Sequence, residues 1–364
     1  MSFLQVLLYF ILIKVKMSLK SIIPLFILLI FVYVVFIFPF EILARWLGHP
    51  GTPLELITST LIIFFICLFY FRTKNSNKII KFIIYEGVGV GSISLFVIIP
   101  ILFFEILFSI PNNIMIIIFF IFQLPLLFYG HWNARKIKIK NLEIQSNTID
   151  ENLSFIFISD VHIGSNSPKR LDKIVPLVNQ LKPKFLLIGG DLIDSSSFKI
   201  NDLFSLKKIK CPIYFVTGNH EYYIQNFQKH LDKFQECNIQ ILNNEAVSYH
   251  GINLIGINDN LSINEKKNIY GNLSKNNKFN LLAVHQPSLW KTVKNEVDLM
   301  LSGHTHNGQI FPFNFLVKIQ FPQIYGLYQE NNKSLYVSSG VSTWGPKIRI
   351  GSQNELVQIN LIKK

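Results

Sequence analysis

LSFIFISDVH, residues 153–162, decides how the C-terminal half of this chain is read. A short run rich in Phe and Ile, residues that favour strands, leads straight into Asp160-Val161-His162. The pattern returns four times. FLLIGG (185–190) ends at Asp191, IYFVTG (213–218) at Asn219-His220-Glu221, LLAV (281–284) at His285, and DLMLSG (298–303) at His304-Thr305-His306. Helix-like stretches such as 168–181 and 225–236 lie between several of these runs. Strand, polar cluster and helix in repetition predict a layered α/β domain whose site lies beyond the carboxyl ends of the strands. The alternating KIKIKNLEI (136–144) predicts an amphipathic strand. Further strands at 252–257, 335–339 and 355–362 predict a second sheet packed on the first, a two-sheet α/β/β/α sandwich. The Asn/Lys-rich stretch 264–280 reads as an exposed loop.

The N-terminal part is of another kind. Half of the 364 residues are hydrophobic and 16% charged, too apolar for an ordinary soluble protein, and the long apolar runs fall in residues 1–149. Four runs, 21–43, 54–71, 82–108 and 114–130, are long enough to cross a bilayer. They predict an α-helical membrane bundle over 1–130, followed by a linker and first strand over 131–152 and the α/β domain over 153–364. The apolar run 3–13 is too short to span. It reads as a signal-peptide core without a small-residue cleavage site, or as lying outside the protein if Met17 is the start. Lys14, Lys16 and Lys20 precede the first span. Arg72, Lys74, Lys78 and Lys81 lie between spans two and three, and Arg135, Lys136, Lys138 and Lys140 follow span four. The alternate loops offer only Arg45. This bias predicts a multi-pass protein of the inner membrane with both termini, and the α/β domain, in the cytoplasm.

The net charge of +13 is therefore largely topological, and no basic-aromatic stripe marks a nucleic-acid reader. An excess of basic residues also suits a domain lying against anionic membrane lipid. Three cysteines without C-x-x-C spacing fit a reducing compartment. Gly87 and Gly91, four apart in an apolar segment, predict a helix-packing face rather than a nucleotide loop. A transporter reading would rest on Glu86 and Glu105 as candidate polar groups in the spans, a thin pathway. No residue pattern assigns an oligomeric state.

Taken together, the strand ends bring Asp160, His162, Asp191, Asn219, His285, His304 and His306 to one sheet edge. In an extended segment His304 and His306 would point the same way. Such an oxygen and nitrogen set suits two divalent ions, with Mn²⁺, Fe or Zn²⁺ matching imidazole plus carboxylate better than Mg²⁺ or Ca²⁺. At these residues the chain resembles the calcineurin-like metallophosphoesterases. The blocks SDVH, GGDLID, GNHE, AVHQP and GHTH stand in the family's order, and GHTHNGQI, YVSSG and TWGPKIRI resemble a membrane-anchored bacterial subgroup. That subgroup usually has Gly where Asn307 stands, and an αL backbone tolerates Asn. The resemblance implies one ion on Asp160, His162, Asp191 and His306, and a second on Asp191, Asn219, His285 and His304. His220 would face the substrate as the acid, held cationic and oriented by a hydrogen bond to Asp194.

The resemblance also implies hydrolysis of a phosphodiester or pyrophosphate bond, and membrane-anchored relatives include hydrolases of UDP-2,3-diacylglucosamine. A lipid-linked substrate fits the spans and the apolar segment FPFNFLVKIQFPQIYGLY (311–328), which reads either as strand and turn inside the domain or as a lid dipping into the membrane. The alternative is a non-catalytic metal-binding scaffold or sensor. It is expected to lack ligands or His220, and none is missing.

Overall fold

The computed structural model describes residues 19–73 and 78–364. The run 3–13, Met17, Lys14, Lys16 and Lys74 lie outside them. The chain divides into two compact units, Met1–Leu127 and Phe128–Lys364.

In the first unit α1 (Leu19–Val32) passes through a π-helical turn (Tyr33–Ile37) into α2 (Phe38–Trp46), and α3 (Pro53–Thr73) and α4 (Lys78–Phe108) follow. The fifth helix, α5 (Asn112–Arg135), begins in this unit and ends in the second. Among the described residues, four stretches are long and apolar enough to cross a membrane: Ile22–Trp46, Pro53–Tyr70, Ile79–Phe108 and Asn112–Arg135. The two glycines of α4 are packing positions, as expected. A Cβ at Gly87 would overlap the Phe36 ring, and one at Gly91 the Val35 carbonyl oxygen.

The second unit holds two six-stranded sheets. The first contains β1 (Lys138–Ser146), β2 (Leu153–Ile158), β3 (Leu186–Gly189), β4 (Ile213–Val216), β5 (Ile239–Ile241) and β12 (Glu355–Lys363), in the order β1-β12-β2-β3-β4-β5. The second contains β6 (Glu245–Tyr249), β7 (Ile252–Ile257), β8 (Phe279–Val284), β9 (Leu299–Ser302), β10 (Gly326–Glu330) and β11 (Lys333–Val337), in the order β10-β11-β9-β8-β7-β6. β2 to β5 run parallel, as do β7, β8, β9 and β11. Parallel strands are buried on both faces, which explains their unbroken apolar runs. Phe155, Phe157, Leu187 and Val216 of one sheet meet Leu254, Leu281, Leu299 and Leu301 of the other in the central core.

Helices cover both outer faces. On the first sheet α6 (Leu171–Leu181) buries Ile174 and Val178 against Ile156, Ile158 and Ile188, and the short α7 (Asn219–Tyr223) and α8 (Phe227–Leu231) follow β4. On the second sheet Tyr270 of α9 (Ile263–Leu273) and Trp290 of α10 (Trp290–Val293) pack on Ile255, Leu282 and Met300. The four layers match the expected sandwich.

Three readings need correction. The strand expected at 355–362 in the second sheet is β12, which lies in the first sheet between β1 and β2. The stretch 264–280 is mostly not loop. Ser262 and Glu265 form a capping box that starts α9, and Tyr270 anchors it to the core. The segment 311–328 is strand and turn inside the domain only at its end, where Phe321 is buried and Gly326 begins β10. Its first part forms α11 (Phe313–Gln320), with Phe315, Leu316 and Ile319 exposed. β5 and β6 were not foreseen.

Candidate metal centre

The strand ends of both sheets converge, and the backbone turns sharply at each. Asp160, His162, Asp191, His304 and His306 all have φ between 48° and 71°, a region that side-chain-bearing residues avoid. Such positions cost on the order of 1–3 kcal/mol each and collect where a site requires them. His304 and His306 are thus not placed by strand alternation. Thr305 between them is right-handed, at φ −78°, so the segment coils. Asn307 is left-handed as expected, at φ 52° and ψ 37°.

Coiling sends the two imidazoles to different partners. His306 Nε2 lies 3.2 Å from His162 Nε2 and 3.3 Å from Asp160 Oδ1. His304 Nδ1 lies 3.3 Å from His285 Nε2, which is 3.1 Å from Asp191 Oδ2. The same Asp191 oxygen is 3.8 Å from His162 Nε2 and 3.9 Å from His220 Nε2. Three groups of side chains therefore have ligand atoms within 4.8 Å of one another: Asp160, His162 and His306; Asp191, His285 and His304; and His162, Asp191 and His220. Asn219 begins α7, and its Oδ1 is buried without a hydrogen-bond partner.

These side chains suit a pair of cations. Buried nitrogens facing each other and an unpartnered buried carbonyl oxygen call for a positive charge between them. Burial acts to raise the Asp160 carboxyl, but His306, His162 and His285 outweigh it and hold it well below the usual range. Asp191 behaves alike, with burial opposed chiefly by His285, then His220 and His162. Metal ligation needs neutral imidazole. Burial pulls His304 down to about 4, reinforced by His285 against the pull of Asp191 and Asp160. It pulls His306 down to about 3, with Asp160 opposing and His162 and Arg349 reinforcing. His162 and His285 show how strongly the carboxylates attract positive charge. Burial lowers both, yet the adjacent Asp160, Asp194 and Asp191 carboxylates lift His162 to about 10, and Asp191 and Asp160 lift His285 well above its ordinary value.

The outer contacts fix these groups. His285 Nδ1 donates to the Gly189 carbonyl at 2.8 Å, leaving Nε2 free to bind. Ser159 Oγ donates to Asp160 Oδ2 at 2.6 Å. Gly303 is obligatory, because a Cβ there would overlap Ser159 Oγ and Asp160 Oδ2.

Asp194 and His220 depart from expectation. The Asp194 carboxylate accepts from Ser165 N at 2.7 Å and Ser165 Oγ at 2.5 Å, and its Oδ2 faces His162 Nδ1 at 3.3 Å without an aligned hydrogen bond. It backs His162, not His220. The His220 ring instead packs against His162, Tyr223 and Trp344, at centroid distances of 4.8, 5.3 and 5.3 Å. Burial lowers its pKa, against the pull of Asp191 and Asp194, so it is not held cationic.

Two supporting residues escaped the sequence reading. Glu221 is buried and accepts from the backbone N–H groups of Asp191, Ile193 and Gly218, at 3.1, 3.0 and 2.7 Å. It clamps the β3 and β4 ends together, and burial, then Asp191, pushes its carboxyl up to about 8. Arg349, fully buried, donates to the carbonyls of His306, Ser339, Ser342 and Gln353, and its Nη2 lies 3.2 Å from His306 Nδ1. Both lie inside quoted blocks, GNHE and TWGPKIRI, but nothing in their spacing reveals what they hold.

Residues 153–308 match the calcineurin-like phosphoesterase family. The chain is 38% identical over 240 residues to an uncharacterized metallophosphoesterase of Helicobacter pylori, covering 62% of this chain and 64% of that protein. One from Campylobacter jejuni is 34% identical over 248 residues, covering 63% and 64%. A transmembrane protein with metallophosphoesterase domain from Bos taurus is 33% identical over 236 residues, covering 57% and 53%. The matches span less than two thirds of the length of these relatives.

Proposed function

We propose, from the premise that residues 153–308 form a calcineurin-like phosphoesterase domain, that this protein uses two divalent metal ions to hydrolyse a phosphodiester or pyrophosphate bond at the cytoplasmic face of its membrane. The observation that carries the reading is the convergence of two ligand groups, Asp160-His162-His306 and Asp191-His285-His304, with Asp191 also close to His162. Asp160, His162, Asp191 and His306 would hold one ion, and Asp191, Asn219, His285 and His304 the other. Ions of this kind lower the pKa of water towards neutrality and neutralise phosphate oxygens. Mn²⁺ suits the mixed carboxylate and imidazole donors, as do Fe and Zn²⁺.

The chain's own side chains do the positioning. Asp194, fixed by Ser165, keeps the His162 ring turned towards Asp160 and Asp191. Glu221 holds the Asp191 and Asn219 loops in register. His220, partly open to solvent, presents an N–H to the leaving oxygen. A neutral imidazole donates a hydrogen bond there, and an adjacent phosphate raises its proton affinity. Orientation rests on exposed Arg72 between spans two and three, and on Arg135, Lys136, Lys138 and Lys140 after span four. A lipid-linked phosphoester, such as an acylated nucleotide-sugar of the UDP-2,3-diacylglucosamine type, fits the membrane setting.

Metal content tests the reading. The full chain purified with Mn²⁺ should carry two ions by mass spectrometry, and Asp191→Asn one or none. A single ion in the wild type, or two in the variant, contradicts the shared-carboxylate centre.

A further inference from the structure

Helix α11 (Phe313–Gln320) carries four large apolar side chains, one just before its start and three along one face, each more than half exposed. Phe311 is 53% exposed, Phe315 60%, Leu316 62% and Ile319 80%. Phe315, Leu316 and Ile319 fall at i, i+1 and i+4, within a third of a helical turn of one another, and the Phe311 ring packs on Phe315 at 5.7 Å. A contiguous patch of this sort on an aqueous domain marks a contact surface.

The connections of this helix say what covers it. Phe311 N donates to Ile350 O at 2.8 Å, and Ile350 N donates to Gln309 O at 3.1 Å. Next to Ile350, Arg349 N donates to Gly130 O at 3.0 Å, and a Cβ at Gly130 would run into Ile348 and Ile350. Gly130 belongs to the last turns of α5, the fourth apolar stretch, where Asn133 Nδ2 also donates to the carbonyls of Arg349 and Ser352. The neighbours of Gly130 on α5, Phe128, Tyr129 and Trp132, are exposed, Phe128 by 76%. Aromatic residues at the end of a spanning helix mark the bilayer–water boundary. The start of α11 is therefore bonded, through one short segment, to the level at which α5 leaves the membrane. Exposed Arg135, Lys136, Lys318 and Lys347 surround that level, a charge that suits anionic headgroups.

We propose that the exposed face of α11 lies in the headgroup–acyl boundary of the same bilayer that α5 crosses, making the second unit a membrane-seated domain and not merely a tethered one. The helix end meets the metal centre directly. Phe321 packs on the His304 ring at 5.0 Å, and Thr305 Oγ1 donates to Ile324 O at 2.5 Å. The centre thus opens at headgroup level, where an amphiphile presents its phosphoester. The inference rests on the spans crossing a membrane and goes beyond the hydrolytic reading.

The test places a nitrobenzoxadiazole label at Ile319→Cys in the full chain, reconstituted in vesicles of phosphatidylethanolamine and phosphatidylglycerol. Asn277→Cys, two residues before β8 and so at the far end of the strand from His285, serves as the comparison. The unsubstituted chain gives the background of Cys67, Cys211 and Cys237. Phospholipids brominated along the acyl chain should remove roughly half of the emission at 319, because an interfacial helix sits about 5–10 Å into that boundary. They should leave 277 unchanged, and aqueous iodide should do the reverse. Quenching at 319 by iodide and not by bromolipid overturns the proposal. Quenching by neither also overturns it, since protein, such as a second copy of the chain, would then cover the face. Hydrolysis of a soluble phosphodiester by the same vesicles reports separately on the reaction, so its absence leaves this result standing.

Discussion

Arg349→Met replaces a buried guanidinium with an apolar chain of similar length, and the structure sets the size of the effect. Four carbonyls, those of His306, Ser339, Ser342 and Gln353, lose a charged donor, and Ser352 Oγ, 3.2 Å from Nη1, loses another contact. Hydrogen bonds to a charged group contribute about 1.5–3 kcal/mol each, so the gross loss is roughly 8–15 kcal/mol. Against this, removing the guanidinium recovers several kcal/mol of desolvation, and breaking such a buried charged set is expected to cost about 3–5 kcal/mol net. For a unit of this size each kcal/mol shifts Tm by about 2–4 °C, giving a fall of roughly 6–20 °C. The His306 carbonyl also loses its donor, which loosens the segment that carries this ligand, and loss of such an outer contact lowers metal affinity by about 10–100-fold. Thermal unfolding of the full chain in detergent, followed by near-ultraviolet circular dichroism, measures the first effect, and Mn²⁺ titration the second. Arg349→Lys, with one ammonium in place of a fork, should fall between. A Tm within about 2 °C of wild type with unchanged Mn²⁺ affinity would refute the reasoning.

His220→Ala should keep both ions but lose on the order of 10²–10⁴ in kcat for a substrate with a poor leaving group, and much less with p-nitrophenol. Equal losses on both substrates would place His220 elsewhere than at the leaving oxygen. In chelator, stability should fall as pH rises from 7 to 10. His162 is raised to about 10 and His285 well above its ordinary value, so the folded state binds more protons than the unfolded chain, and that stability is complete only below the unfolded imidazole value of about 6.5. The Mn²⁺-loaded protein, with neutral imidazoles as ligands, should lack this slope. A flat profile in chelator contradicts the assigned charge state.

The strands bearing the ligands were legible because parallel strands buried on both faces are continuous apolar runs, each interrupted by the polar residue it delivers. The seven ligand candidates could be named for the same reason. What could not be read was contact across the fold. Asp194 sits 32 residues from His162 and 26 from His220, and only the Ser165 turn decides which imidazole it backs. Glu221 and Arg349 act through backbone groups, which leave no trace in side-chain pattern. In α9 the capping box Ser262-Ile-Asn-Glu265 was present in the sequence, but the polar composition outweighed it. The segment 311–320 stayed open between core and lid because apolar composition does not tell burial in protein from an outward apolar face, which Phe315, Leu316 and Ile319 share.

The central claim is a hydrolytic centre built on Asp191. Its most direct test is turnover of bis-p-nitrophenyl phosphate by the full chain in detergent, with Mn²⁺ and with chelator, beside Asp191→Asn. The account predicts Mn²⁺-dependent release of p-nitrophenol, abolished by chelator and lost in the variant while its circular dichroism is retained. Turnover that survives both chelator and Asp191→Asn, or none from a folded wild type carrying two ions, would contradict it.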